Sequence, residues 1–187
     1  CLAWLRFQRR AGRVLVNRDP GVMENQLSDF TGGHAAAPPG WKNIVLAEPD
    51  SFISFIGPFW AIKDDDGIRF GFRVERRHCN SHGICHGGMI VSFIDTMLPT
   101  VARLTDNEEK GTPTISLSTE FIAAVALGSW VEARVEIVQR SDNLLFARCL
   151  VTADGVLAAH GSGTFRVLNK KHPTDHAAII RLLTVQE

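Results

Sequence analysis

The feature that most constrains the fold is a stretch of sixteen residues at 89–104, MIVSFIDTMLPTVARL, that is apolar on nearly every side. A helix on a protein surface has one apolar stripe and one polar face, so this pattern predicts a helix enclosed by the rest of the chain. Two strand-like segments, 59–63 and 67–75, precede it, with a hairpin signal at Asp66-Gly67. Four more follow it. This order predicts an α+β domain in which an antiparallel sheet of about six strands wraps around one long central helix.

The four later strands are indicated by apolar and β-branched runs with turn signals between them. They are expected at 113–125, 129–140, 143–153 and 156–168. A further short helix is expected within 44–56, because its proline suits a first helical turn and the SFISFI run supplies an apolar face.

The first part of the chain differs in composition from the rest. Residues 1–22 hold five arginines against one acid and precede the first methionine, Met23. They are interpreted as sequence upstream of the natural start, with an Arg-rich targeting segment as the alternative. The expected organisation is a leader and flexible arm over 1–43, one domain over 44–168 and a C-terminal tail over 169–187.

Composition limits the partners that the chain is expected to have. Its 187 residues and 45% hydrophobic content suit one packed domain, and a formal net charge of zero gives no support for nucleic acid or a membrane surface as partner. No apolar run reaches the roughly 20 residues of a membrane span. The four cysteines form no paired framework, which favours a reducing compartment and predicts a cytoplasmic protein.

Residues 78–88, HCNSHGICHGG, raise the question of a metal site. His78, His82 and His86 have the spacing of one helix face, but Asn80 and Gly83 between them are poor helix formers. The two cysteines in the run are six residues apart, which is not a zinc clip, so no metal is expected. The glycine pair instead suggests a loop that delivers backbone amides at the start of the buried helix.

The same loop and helix carry the pattern H-x-N-x-x-G-x-x-H-G-G-x(6)-D, with every named position present. Together with the order of elements over about residues 45–168, this pattern resembles the hotdog-fold acyl-CoA thioesterases of the PaaI-like group, in the 4-hydroxybenzoyl-CoA thioesterase superfamily. The resemblance implies hydrolysis of an acyl-CoA thioester to free acid and coenzyme A, with no cofactor or metal. It also implies a homodimer whose sheets join edge to edge, and a homotetramer of such dimers.

The residues support this chemistry through two groups. Hydrolysis of a thioester needs a donor for the carbonyl oxygen and a group that attacks the carbon or activates water. Gly87 can present its N–H at the helix start, where the helix dipole adds positive potential. Asp95 is a carboxylate in an otherwise apolar helix, where burial without a partner is costly. Its role as nucleophile or as general base stays open, and a structural hydrogen-bond partner is the alternative.

Three other residues are candidates because of the resemblance. It implies that Asn80 orients the nucleophile or water, that His86 lies beside the carbonyl, and that Thr114 places a hydroxyl near the carboxylate. The alternatives are an Asx turn for Asn80, a helix cap for His86 and an ordinary strand threonine. His82 and the two cysteines of the loop are interpreted as packing or solvent-facing residues.

The coenzyme end of the substrate is expected at the turn after the third-last strand. A cation, a hydroxyl and backbone N–H groups there, with the glycines of the last strand opposite, suit phosphates. The loop before the helix completes the predicted substrate-binding set, which is His78, Gly88, Arg140, Ser141, Gly161, Ser162 and Gly163.

Two rival functions and one departure from the pattern remain. A non-catalytic acyl-CoA-binding protein would lose the carboxylate, and a hotdog hydratase would need Asp-x4-His, whereas Asp154 and His160 have five residues between them.

Pro99 stands four residues after Asp95. Because proline clashes with the carbonyl four residues earlier, a kink or a looser turn is expected beside the carboxylate.

Overall fold

The structure is a computed structural model that describes residues 36–46, 50–65, 67–106 and 110–168. The predicted leader at 1–22 and the predicted tail at 169–187 lie outside the described residues, so the expected domain boundaries stay a prediction. Among the residues described, no helix is long and apolar enough to cross a membrane.

Seven strands and two α-helices make up this part of the chain, with a short 3-10 turn at Arg76–His78. In chain order they are β1 (Lys42–Ile44), α1 (Phe52–Ile56), β2 (Phe59–Asp64), β3 (Gly67–Arg73), α2 (Gly87–Asp106), β4 (Thr114–Phe121), β5 (Trp130–Arg140), β6 (Leu144–Ala153) and β7 (Val156–Arg166).

The strands form one antiparallel sheet in the order β1-β2-β3-β5-β6-β7-β4, and α2 packs against one face of it. Alternation on β6 shows how the core forms, because its buried residues all point to the helix side. On α2 most of the apolar residues predicted to be enclosed are buried. They include Phe93, Ile94, Met97 and Leu98. The predicted fold, an antiparallel sheet around one long helix, is confirmed.

Several boundaries differ from those expected. The sheet has seven strands because β1 adds three residues beside β2, a length too short to show alternation in a sequence. The helix expected within 44–56 is limited to α1, whose first turn is capped by Ser51. The central helix starts at Gly87, two residues before the apolar run. β4 ends at Phe121, four residues before the expected end.

Pro99 does not end the central helix, which continues to Asp106. Proline has no N–H, so the Asp95 carbonyl receives no hydrogen bond from position 99. Around it, the hydroxyls of Thr96 and Thr100 each donate to a carbonyl four residues earlier, at 2.7 Å. The expected effect of Pro99 is therefore confined to the local hydrogen bonding and does not interrupt the element.

One side of the sheet's outer face is covered by aromatic rings, and we call it the closed flank. Trp41 and Trp60 both contact the Trp130 ring edge to face, at centroid distances of 5.0 and 5.6 Å. Arg69 and Arg73 lie over the rings of Trp41 and Trp130. The rings lie on β2, on β5 and on the segment before β1, and the two arginines lie on β3, so the chain covers this flank with its own residues.

The opposite side of the sheet ends at β4, and we call this strand the open edge. Among the described residues, β4 pairs with β7 alone, so its other side carries backbone groups that no strand of this part of the chain meets. Ile115 and Phe121 are 56% and 57% exposed, and Ile122, just after the strand, is 54% exposed. An exposed apolar edge strand is a surface on which another strand can pair.

Candidate active site

The loop before α2 is a tight turn, and we call residues 79–86 the Asn80 loop. Gly83 N–H donates to the Asn80 carbonyl at 3.0 Å, and Gly83 has a φ of 74°, which favours glycine. The side-chain Oδ1 of Asn80 accepts from His82 N–H at 2.9 Å. Asn80 therefore forms the Asx turn that was one of its two expected roles, and its amide NH₂ remains as a donor.

At the start of α2, the histidine next to the glycine pair acts as a cap. Gly88 N–H donates to His86 Nδ1 at 2.8 Å. A ring nitrogen that accepts carries no proton, so the proton of the neutral imidazole is on Nε2. The His86 ring is exposed, which leaves Nε2–H available as a donor. The cap predicted as one alternative for His86 is present, and it also fixes the tautomer.

Gly87 N–H has no acceptor within the described part of the chain. It is the first residue of α2, where four N–H groups lack partners inside a helix and the dipole is positive. A Cβ placed on Gly87 would lie 3.1 Å from Phe121 Cζ, so the glycine lets this ring approach the amide closely. The arrangement can donate a hydrogen bond to an oxygen on which negative charge develops.

Asp95 lies half-buried in the middle of α2 and has a hydroxyl partner. Thr114 Oγ1 donates to Asp95 Oδ1 at 2.7 Å. The two residues are 19 apart in sequence, and the first residue of β4 meets the helix there. The expected proximity of Thr114 to the carboxylate is found in the structure. Because the hydroxyl occupies Oδ1, Oδ2 is the oxygen that can act on another molecule.

The Gly87 N–H and the Asp95 carboxylate lie at opposite ends of the contact between β4 and α2. Thr114, the first residue of β4, meets Asp95, while Phe121, its last residue, meets Gly87. Eight helical residues at about 1.5 Å each place Gly87 and Asp95 roughly 12 Å apart along the axis. One chain therefore holds the donor and the carboxylate too far apart for a single thioester carbonyl.

His78 and Gly88, both in the predicted substrate-binding set, occupy different positions. His78 is 3% exposed and its ring contacts Phe72 edge to face. Burial, and the nearby positive charge of Arg77, lower its pKa. This placement gives His78 a role in packing under the Asn80 loop. Gly88 is exposed beside the His86 ring, which lies 2.9 Å from where its Cβ would be.

The glycines of β7 do not lie opposite the β5–β6 turn as expected. Gly161 pairs with Cys149 in the middle of the sheet, and its Cβ would come within 2.6 Å of Ile94 on the central helix. Gly163 is likewise tight against the Phe165 ring, while Ser162 points to the outer face with Arg148. These positions make room for core side chains, since the helix crosses β7 closely there.

Arg140 and Ser141 line a surface cavity of about 280 Å³, together with Lys110, Asp142 and Val167. Its position follows from the strand register. Arg140 pairs with Leu145, which pairs with Phe165, which pairs with Thr114. Three strand spacings of about 4.8 Å place the Arg140 backbone, beside the cavity, roughly 14 Å from the Thr114 backbone.

The sequence did not indicate two residues near these groups. Phe121 covers Gly87, and its only sequence signal is an apolar residue at a strand end. Thr119, on the helix side of β4, has a buried hydroxyl without a hydrogen-bond partner in the described residues. Within the same residues, no group of three or more His, Cys, Asp or Glu side chains is placed to hold a metal ion.

The seven-stranded antiparallel sheet packed around one long helix is the hotdog fold, which this chain shares with solved thioesterase structures. Residues 82–159 match the family model described as "Thioesterase superfamily". The match covers the helix, β4, β5, β6 and the first residues of β7. The predicted resemblance to hotdog-fold thioesterases is therefore confirmed.

Relatives and solved structures agree with this class. A Pseudomonas aeruginosa protein that carries the provisional name of an esterase is 23% identical over 131 residues, which are 70% of this chain and 96% of that protein. The PaaI protein from the phenylacetic acid degradation operon of E. coli has a TM-score of 0.57 at 14% identity, over 66% of this chain and 88% of its own. The family match and the esterase name support a thioesterase-type activity.

A second similar structure carries a ligand. It is a thioesterase protein of Streptococcus pneumoniae, solved with coenzyme A. Its TM-score is 0.54 at 17% identity, and the likeness covers 63% of this chain and 95% of that one. At this level of identity the likeness shows the shared fold.

Proposed function

We propose that this protein is an acyl-CoA thioesterase that hydrolyses an acyl-CoA thioester to the free acid and coenzyme A. The observation that carries the proposal is the Asp95 carboxylate, held at Oδ1 by the Thr114 hydroxyl at 2.7 Å within a largely apolar helix. The hydroxyl fixes the direction of the carboxylate, which favours its use as a nucleophile or base.

Two routes are open to this carboxylate. In one, Oδ2 attacks the thioester carbon, the C–S bond breaks, the thiolate leaves, and water then hydrolyses the acyl anhydride. In the other, the carboxylate takes a proton from a water molecule, whose oxygen attacks the same carbon. Both routes place negative charge on the carbonyl oxygen, and that charge needs a positioned donor.

Gly87 N–H supplies this donor in the proposal. Its hydrogen is unused within the described residues, and it lies at the positive end of α2. We assign the His86 Nε2–H as a second donor, since Nδ1 accepts from Gly88 N–H. In the proposal the amide NH₂ of Asn80 orients the water or the carboxylate.

The separation of Gly87 from Asp95 supports a site that two chains share. We infer a homodimer formed by antiparallel pairing of two open edges, since β4 has exposed apolar residues and, among the described residues, no strand on its outer side. A two-fold axis near Leu117 and Ser118 would place the Thr114 end of one β4 beside the Phe121 end of the other. Each site then combines Asp95 of one chain with Gly87 of its mate.

The coenzyme part of the substrate is assigned to the cavity lined by Lys110, Arg140 and Ser141. Two cations and a hydroxyl suit phosphate oxygens, and the strand register places the cavity in the same row as Thr114. The coenzyme A in the similar Streptococcus pneumoniae structure supports this substrate class.

The rival functions fit the geometry less well. For a hydratase, Asp154 and His160 would have to act together, but Asp154 accepts from Trp130 N–H in a turn and His160 is paired with Glu120 on the outer face. A binding protein that does not turn substrate over would have no need of an oriented carboxylate. Assay of free thiol release separates this case from the enzyme, and enoyl-CoA as substrate separates hydration from hydrolysis.

Replacement of the carboxylate is the direct test. Asp95→Asn keeps the shape of the side chain and its contact with Thr114, so the fold and the oligomer should remain. Thiol release from a panel of short, long and aromatic acyl-CoAs should fall about a hundredfold or more, about 2.7 kcal/mol of barrier. A folded Asp95→Asn protein with near-normal kcat would remove Asp95 from the mechanism.

A further inference from the structure

Two cysteines face each other at the base of the Asn80 loop. Cys79 and Cys85 pair as an isolated antiparallel bridge, and both are free thiols. The proposed hydrolysis uses neither of them. A pair of thiols in register, on either side of candidate catalytic residues, is a feature for which the proposed function gives no account.

The hydrogen bonds around the bridge show which kind of antiparallel pair it is. Asn80 N–H donates to the Ile84 carbonyl at 2.9 Å, and His86 N–H donates to the His78 carbonyl at 2.7 Å. These bonds join the residues next to the two cysteines, so the cysteines themselves form a non-hydrogen-bonded pair. In such a pair the Cα atoms are about 4.5 Å apart and the side chains lie on one face. Disulfides span Cα separations of about 4.4–6.8 Å.

The two thiols differ in access. Cys79 is half-buried, whereas Cys85 is buried. Burial raises the pKa of Cys79, and burial together with the neighbouring Cys79 raises the pKa of Cys85 to about 12. The effect of one thiol on the other agrees with their side-by-side placement. Cys79 is the thiol that a reagent from solution meets first, and Cys85 is the one placed to attack it afterwards.

We propose that Cys79 and Cys85 are a redox-active dithiol that closes to a disulfide across the base of the Asn80 loop. The oxidant is a small-molecule disulfide. The Cys79 thiolate attacks one of its sulfurs, its S–S bond breaks, and one small thiol leaves. The Cys85 thiolate then attacks the Cys79 sulfur and displaces the second small thiol. Two electrons and two protons pass from the cysteine pair to the oxidant.

The disulfide would link the two backbone segments that meet at the base of the Asn80 loop. The bridge already has its backbone hydrogen bonds in the dithiol state, so the disulfide forms between positions that are in place. The closed ring spans 79–85 and ends one residue before His86. Oxidation therefore acts on the loop that carries the proposed donors, without a change in the rest of the sheet.

The test uses the full chain with glutathione disulfide as oxidant. The reduced protein is incubated with the oxidant at pH 8.5, and the remaining thiols are blocked with iodoacetamide. The mass of tryptic peptide 78–103, which contains both cysteines, is then measured by mass spectrometry. We expect this peptide to be unalkylated and two hydrogens lighter. Because both thiols have raised pKa values, the rate of closure should rise about tenfold from pH 7 to pH 8.

Two variants make the result specific. Cys149→Ser removes a buried cysteine of β6 and should leave closure unchanged, whereas Cys79→Ser should abolish it. The same treatment in urea checks that the reagents reach both thiols. Peptide 78–103 alkylated at both cysteines after oxidation of the folded protein would overturn the proposal, and so would a stable glutathione adduct on Cys79. Neither readout depends on thioesterase activity.

Discussion

The closed flank and the open edge lie on opposite sides of one sheet, and they differ in how far their apolar side chains are covered. On the closed flank, Trp60 and Trp130 are buried and arginines lie over the rings. On the open edge, Ile115 and Phe121 remain more than half exposed. The chain covers the apolar side chains of the closed flank with its own residues, so it does not lack residues that can cover such a surface. The bare side is therefore the one where a partner is expected, and it is also the side that meets both Asp95 and Gly87.

The largest expected effect tests whether the open edge joins two halves of one site. Asp95→Asn and Gly87→Val are each expected to be nearly inactive, the latter because a side chain at 87 would meet the Phe121 ring. Co-expressed, with random pairing, about half of the dimers are mixed and each has one intact site, so roughly a quarter of wild-type activity should return. Thiol release by the co-expressed mixture measures this, and mixed dimers purified through separate tags on the two chains should have about half of the wild-type activity.

Mixed dimers of Asp95→Asn with the wild-type chain provide the control, because they should have about half of the wild-type activity. Verified mixed dimers of the two variants that are as inactive as the parents would show that each site lies within one chain.

A matched pair of charge substitutions compares the two sides directly. Ile115→Lys places a charge on the open edge, where it would be desolvated in a dimer. Val45→Lys makes the same change at a residue 72% exposed, next to β1 on the other side of the sheet. We expect Ile115→Lys to be largely monomeric by light scattering, with activity reduced about tenfold or more. Val45→Lys should match the wild type, and dimer loss in both variants, or in neither, would contradict the assigned interface.

The closed flank depends on a close contact at Gly71. A Cβ there would lie 2.4 Å from Trp130 Cζ2 and 3.0 Å from the Val131 carbonyl oxygen. Gly71→Ala should therefore lower the free energy of unfolding by about 1–3 kcal/mol, measured by urea denaturation. Trp130→Leu removes the clashing ring, so the double variant should lose less than the sum of the two single losses. Full additivity would show that the ring is not what the glycine accommodates.

The smallest expected effect concerns the turn that anchors Trp130. The hydrogen bond from Trp130 N–H, and then that from the Ser129 side chain, lower the pKa of Asp154 below its usual 3.8. The carboxylate thus stabilises the fold above about pH 3.8, and this contribution is lost as the pH falls through its folded pKa. Asp154→Asn, which tolerates the φ of 47°, should lower the melting midpoint by about 2 °C or less at pH 7. As the pH falls below the folded pKa of Asp154, the two midpoints should converge, and a gap in acid equal to that at pH 7 would exclude the charge as the cause.

The central helix and the order of strands were predictable because each depends on a long pattern. A stretch of sixteen largely apolar residues and four strand-like segments leave few ways to bury the same surface. β1 was not predictable, since three residues cannot show alternation and their place is decided by pairing with β2. The glycines of β7 were misplaced for a related reason, because a glycine that admits Ile94 of the helix has the same sequence signal as one that binds a phosphate.

The candidate site likewise combines features that the sequence determines with contacts that only the fold determines. The sequence by itself determined which groups can do chemistry, because a carboxylate in an apolar helix and a glycine pair at its start are local features with definite costs and spacings. Only the tertiary structure decided what each group meets: Thr114 on Asp95, His86 on Gly88, Phe121 on Gly87 and Cys79 beside Cys85. These partners are separated along the chain or lie across a turn, and the register of strands and helix, set by burial of the whole core, brings them into contact.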